Sequence, residues 1–196
     1  MQPQTFVFFG IIGSGKGTQI ELLTSFLKAR DSKEDVYLGP GNGFRELLKS
    51  ENFTASLVKD SMGRGELQPD FLTNSMVTNV LISSLTPDKH IFADGYPRTV
   101  VQSETFERMM DYYKRKDIKI IYIEVGKEEA VKRMLLRGRA DDTKEGMAKR
   151  FDEYINNVIP AMNYFKDKTG YTIHTINGEQ SREDVHKDII KALNFN

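Results

Sequence analysis

Short apolar runs separated by amphipathic stretches set the rhythm of this chain. Runs rich in β-branched and aromatic residues occupy 5–9, 36–38, 91–93, 118–124 and 171–176, each of strand length. Between them apolar positions recur three and four apart, the period of a helix with one buried side. Ile20, Leu23 and Leu27 mark such a side within 18–28, and Phe71, Leu72, Met76, Val80 and Leu81 within 69–85. Met147, Phe151, Tyr154, Val158, Met162 and Phe165 form a longer stripe, predicted to be a plain core face. Shorter helical stretches are predicted over 46–49 and 53–62. Strands alternating with helices predict an α/β fold, a three-layer sandwich with a five-stranded parallel sheet covered on both faces. Right-handed crossovers then bring the residues just after each strand to one crevice.

Composition changes the picture mainly by exclusion. The 196 residues fit a single domain. With 28 Lys plus Arg against 28 Asp plus Glu, the formal charge is zero, so no general nucleic-acid or anionic-membrane surface is expected. The absence of cysteine removes disulfides and thiolate metal sites. The segment MQPQTFVFFGII has no basic leader and too short an apolar run for a span, which predicts a cytoplasmic protein without a signal peptide.

The chemistry begins in the loop 10–18, GIIGSGKGT, between a predicted strand and a predicted helix. Glycines there let backbone N–H groups approach phosphate oxygens, the helix N-terminus favours anions, and Lys16 supplies a point charge. The strict phosphate-loop pattern wants a hydroxyl directly after the lysine; here Gly17 intervenes and the hydroxyl is on Thr18. A simple strand-to-helix turn would account for one or two glycines, not four with a lysine at the helix start.

Further candidates follow the later strands. The segment 39–68 is long for a connection and is predicted to be a helical insertion between glycine-rich hinges. Asp94 ends a strand, where a phosphate-loop protein places a partner for Mg2+, directly or through water; GYPRTVVQ then delivers Arg98 and Gln102 to the same edge. Arg133 and Arg137 share one helix face at a spacing of four, with Arg139 and Arg150 following. Facing a phosphate crevice, these arginines predict a charge clamp. The stretch DSMG at 60–63 fits a GTPase pattern, but it ends a helical run and no guanine-reading motif accompanies it. His90, His174 and His186 are scattered and receive no catalytic role.

Taken together, GxxGSGKGTQ at 10–19, DGYPRTxxQ at 94–102, and RGRADD followed by KRFDEY at 137–154 resemble the nucleoside monophosphate kinases, the adenylate kinase branch in particular. The resemblance implies a Mg2+-dependent, zinc-free, monomeric enzyme converting ATP and AMP into two ADP. It implies that Gly13, Ser14, Gly15, Lys16, Gly17 and Thr18 hold ATP phosphates, with Thr18 also beside the metal. Arg133 and the chain near Gln180 would flank the ATP base, and Arg137, Arg139 and Arg150 would close on the phosphates. On the AMP side it implies Pro40, Gly95 and Tyr96 as pocket wall, and Arg45 and Arg98 on the phosphate. Glu66, Leu67 and Gln68 would line the base by backbone, with Gln102 reading its edge. Catalysis would rest on Lys16, Arg98, Arg137, Arg139 and Arg150.

Three positions depart from the family pattern. Ile12 stands where proline is usual; Gly39-Pro40-Gly41-Asn42 replaces Ser-Thr-Gly-Asp and loses a hydroxyl; and the lid, 137–143, is shorter than the family's short form. With so short a lid, the 39–68 insertion is expected to make the larger excursion on closure. A uridylate-cytidylate kinase and a non-catalytic nucleotide binder are the competing expectations, Gln102 arguing against the first and the retained Lys16, Asp94 and arginines against the second.

Overall fold

A computed structural model describes residues 1–137 and 144–195. Five strands, β1 (Thr5–Phe9), β2 (Asp35–Leu38), β3 (His90–Asp94), β4 (Ile118–Glu124) and β5 (Tyr171–Asn177), form one sheet in the order β2-β3-β1-β4-β5. Every pairing is parallel. Both faces of β1 are buried, as the unbroken run TFVFF requires.

Alternation along the strands sorts the core into two layers. Phe6, Phe8, Phe92, Ile121 and Ile123 point to one side. There they meet Ile20, Leu23 and Leu27 of α1 (Lys16–Lys28) and Val185 and Ile189 of α9 (Arg182–Ala192). Phe6 stacks on Phe92 with ring centroids 5.1 Å apart. Val7, Phe9, Leu38, Ile91 and Ile120 point to the other side, against α4 (Asp70–Ser84), α5 (Val100–Tyr112) and α8 (Ile159–Asn163). Burying each large apolar side chain contributes about 2 kcal/mol. A third, smaller cluster joins Ile11 to Ala130 and Met134 of α6 (Lys127–Arg137) and Met147 and Phe151 of α7 (Lys144–Glu153).

The helices differ from expectation at several points. The helix α1 starts at Lys16, because Gly15 turns into the left-handed region (φ 94°) and ends the loop there. In the insertion, α2 (Pro40–Leu47) starts well before 46, with Pro40 in the first turn, where a missing N–H costs nothing; α3 (Phe53–Gly63) is capped by Asn52 Oδ1, which accepts the Ala55 N–H at 2.8 Å.

The buried side of α4 is centred on Thr73, Val77 and Leu81, while Phe71 is 75% exposed. Leu72, Met76 and Val80 are half-buried. The face turns about one residue from the predicted one because polar Thr73 looks into the crevice and Asn74 accepts the buried Tyr96 hydroxyl at 2.7 Å. The predicted stripe from Met147 to Phe165 is not one α-helix. A π-helical turn spans Tyr154–Val158, with the Ile159 N–H donating to Tyr154 O, next to Pro160, which has no N–H to give.

No helix among the described residues is long and apolar enough to cross a membrane.

Candidate active site

Strand register decides where the crevice lies. Phe8 pairs with Asp94, so the carboxyl ends of β1 and β3 open side by side, at the point where the chain switches from one half of the sheet to the other. The crevice encloses about 710 Å³.

Its floor is the loop after β1. Gly10, Gly13 and Gly15 all have positive φ (147°, 85° and 94°). A Cβ on Gly10 would also lie 2.6 Å from Ile123 O, and one on Gly13 2.7 Å from Ala130 O, so the loop is pressed against β4 and α6 as well as twisted. Ser14 N–H donates to Ile11 O at 3.1 Å, closing the turn. No side chain among the described residues caps α1, which suits its first N–H groups to an anion. The Lys16 ammonium donates to Gly10 O at 2.7 Å and Ile11 O at 3.1 Å, holding the cation in the loop mouth. Gln19, buried on α1, donates to Arg182 O at 2.9 Å and fixes the helix to the start of α9.

The second wall grows from β3. Gly95 has φ 61°, and a Cβ there would meet Arg98 Nη2 at 2.4 Å. The freed space lets Arg98 Nε donate to Gly95 O at 2.7 Å. Arg45 and Arg150 lie near enough to repel the Arg98 guanidinium, and Asp94 attracts it. Arg45 is itself held by Asn42 Oδ1. Three arginines from three separate elements thus converge beside one carboxylate, an arrangement suited to binding several phosphate charges.

A family model for adenylate kinase matches residues 8–170. Among curated proteins, the chain is 32% identical to adenylate kinase of Prochlorococcus marinus (strain MIT 9301) over 187 residues, 95% of this chain and 97% of that one. It is 32% identical to adenylate kinase of Parabacteroides distasonis over 192 residues, 96% of each chain. Human adenylate kinase isoenzyme 5 is also 32% identical, over 92% of this chain and 31% of that longer protein.

The chain belongs to the adenylate kinase family. It is accordingly a nucleoside monophosphate kinase, a phosphotransferase, and the three-layer fold with its parallel sheet is that of the family.

Most of the adenylate kinase residues expected from the sequence line the crevice: Gly13, Gly15, Lys16, Gly17 and Thr18 below, Pro40, Arg45, Glu66, Leu67 and Gln68 from the insertion, and Asp94, Gly95, Arg98, Gln102, Arg133 and Arg150 around them. Arg133 bridges outward, its Nε donating to Glu129 Oε1 at 2.8 Å and its Nη2 to Gly178 O at 2.9 Å.

Three expected residues sit elsewhere. Ser14 is buried within the loop, its side chain off the crevice lining, and Tyr96 is fully buried with its hydroxyl on Asn74. Gln180 turns outward to donate to Asn177 O and Asp188 Oδ2. Arg139, the side chain of Arg137 and most of the segment 137–143, expected from the sequence to be a lid, lie outside the described residues.

Other lining residues are given no site role by the sequence, Glu153 and Tyr154 among them although they close the KRFDEY stretch. Glu21, Tyr37, Thr73, Glu153, Tyr154 and Val158 reach the crevice through strand register, helix phase and the π-turn. The Tyr154 hydroxyl sits 2.9 Å from that of Tyr122, and burial, first, then this hydrogen bond push its phenol above the ordinary range.

Proposed function

We propose that this enzyme transfers the γ-phosphoryl group of ATP directly to AMP, giving two ADP. An AMP phosphate oxygen attacks the γ-phosphorus in line; the bond from that phosphorus to the β,γ-bridging oxygen breaks, and ADP leaves as an anion. No general base is needed, because the attacking oxygen is already charged. Catalysis consists of positioning and of neutralising charge on the transferring group.

The observation that carries this reading is the adjacency of the glycine loop and Asp94 at the Phe8–Asp94 register, with Arg45, Arg98 and Arg150 lining the same space. In this reading the loop N–H groups and Lys16 hold ATP phosphates, and Arg133 flanks the base. The 39–68 insertion, Arg98 and Gln102 hold AMP. Arg150, with Arg137 and Arg139 of the 137–143 lid, closes over the phosphates.

Thr18 and Asp94 offer hard oxygen donors to the crevice, which suits a hydrated Mg2+ carried in with ATP. When bound, that ion would neutralise charge on the β- and γ-phosphate oxygens. A cytoplasmic monomer completes the proposal, and sedimentation would check the monomer.

The family match does not favour the pyrimidine-acceptor alternative. A coupled assay comparing AMP, UMP and CMP as acceptors tests the point: AMP should give much the largest kcat/KM, and a preference for UMP or CMP would overturn the assignment.

A further inference from the structure

Tyr37, the penultimate residue of β2, belongs to none of the recognised motifs. Its hydroxyl donates to Asp94 Oδ2 at 2.6 Å. Register makes the reach possible: Tyr37 pairs with Phe92 and Leu38 with Ala93, so Asp94 lies two residues further along the neighbouring strand.

Gly39 makes room for the ring. A Cβ at that position would lie 2.2 Å from Tyr37 Cε1 and 2.8 Å from Cζ, overlaps that a packed ring relieves only by moving away. Gly39, having no Cβ, is therefore fitted to Tyr37. A phenol keeps its proton at neutral pH and an ionised carboxylate only accepts, so the tyrosine is the donor of this bond. Arg45 and Glu21 flank it from the insertion and from α1.

We propose that Tyr37 is a positioning residue of the transfer site, whose hydroxyl pins Asp94 Oδ2 and so leaves Oδ1 to receive the hydrated cation that accompanies ATP. The proposal rests on the reading of Asp94 as the metal-side carboxylate. A carboxylate with one oxygen held cannot swing away from the cation, and partners of this kind are typically worth about ten- to a hundredfold in metal affinity.

The test saturates the full chain with a bis-adenosine polyphosphate spanning both nucleotide sites and uses Mn2+ as the probe, its bound fraction read by electron paramagnetic resonance. Tyr37→Phe is expected to weaken Mn2+ binding about tenfold, with unchanged affinity for the polyphosphate in EDTA by calorimetry. Gly39→Ala, which displaces the ring and keeps the hydroxyl, is expected to reproduce the loss, and the double variant to lose no more than either single one. Wild-type Mn2+ affinity in Tyr37→Phe, or an equal loss of polyphosphate affinity in EDTA, would overturn the role of Tyr37 alone. If the unsubstituted protein gains no Mn2+ affinity over the free polyphosphate, the reading of Asp94 falls too.

Discussion

The Gln102 amide is held from both ends: Nε2 donates to Asp70 Oδ1 and Oε1 accepts the Arg98 N–H, each at 2.8 Å. The same Asp70 oxygen accepts the Thr99 hydroxyl at 2.8 Å, and Thr99 caps α5. Orientation of the amide is thereby set, leaving one N–H and one lone pair for an acceptor base. Asp70→Ala would leave Gln102 and Thr99 without their shared partner, a loss of about 1.4 kcal/mol in orientation. The expected outcome is a rise of about tenfold in KM for AMP, with KM for ATP unchanged; steady-state kinetics varying each nucleotide in turn would check it.

Gly17 and Gly10 predict opposite behaviour for one substitution. Gly17 is helical and none of the described residues outside its own helix and chain neighbours lies within 4 Å of a Cβ built on it, yet it lines the crevice. Gly17→Ala should therefore stabilise the fold by about 0.5 kcal/mol while weakening ATP binding, since the methyl group occupies space where phosphate approaches the backbone. Gly10→Ala meets both a positive φ and Ile123 O at 2.6 Å and should destabilise by several times that amount. Urea midpoints beside ATP calorimetry would separate the two effects.

The two sides of α4 predict a contrast in stability. Phe71 is 75% exposed and Leu81 is 1% exposed. Phe71→Ser should shift stability by no more than about 0.5 kcal/mol, whereas Leu81→Ala should cost about 3 kcal/mol through lost burial and the cavity left behind. Chemical denaturation of the two variants would measure the difference.

Acid sensitivity follows from the histidines. Burial lowers His90, His174 and His186 below the usual value of 6.5. Folded-state values below unfolded ones mean that the unfolded chain binds more protons in that window, so stability is full above about pH 7 and declines as pH falls through and below 6.5. Melting temperatures measured from pH 8 to about pH 5.5 should show this decline. His186→Gln should flatten it in part, since Nδ1 of His186 has no hydrogen-bond partner among the described residues to lose.

What could be read from the sequence alone was what lies in consecutive residues. The loop around Lys16, the strand ending at Asp94 and the arginine at 98 are encoded by spacing within a few positions, and the structure brings them to one crevice. Phe71 misled because a helix packed on several neighbours has a wide half-buried arc, and hydrophobicity does not say which residue is its centre. Tyr37 gave no signal, since its approach to Asp94 depends on the pairing of two strands more than fifty residues apart. Asp70 was silent for the same reason: its contact with Gln102 exists only once α4 and α5 are docked.

The π-turn at Tyr154–Val158 has a consequence for how this chain can change. Before it, Met147 and Phe151 pack in the small cluster beside the loop; after it, Ala161, Met162 and Phe165 pack in the main core, and the two clusters share no buried residue. One extra residue in a turn shifts the facing of everything beyond it by about 100°, so the wide turn works as a phase adjuster between two compartments. The crevice wall upstream can be revised by substitution without disturbing the alignment of the core downstream, whereas deletion of a single residue at 155–157 would misalign the two at once.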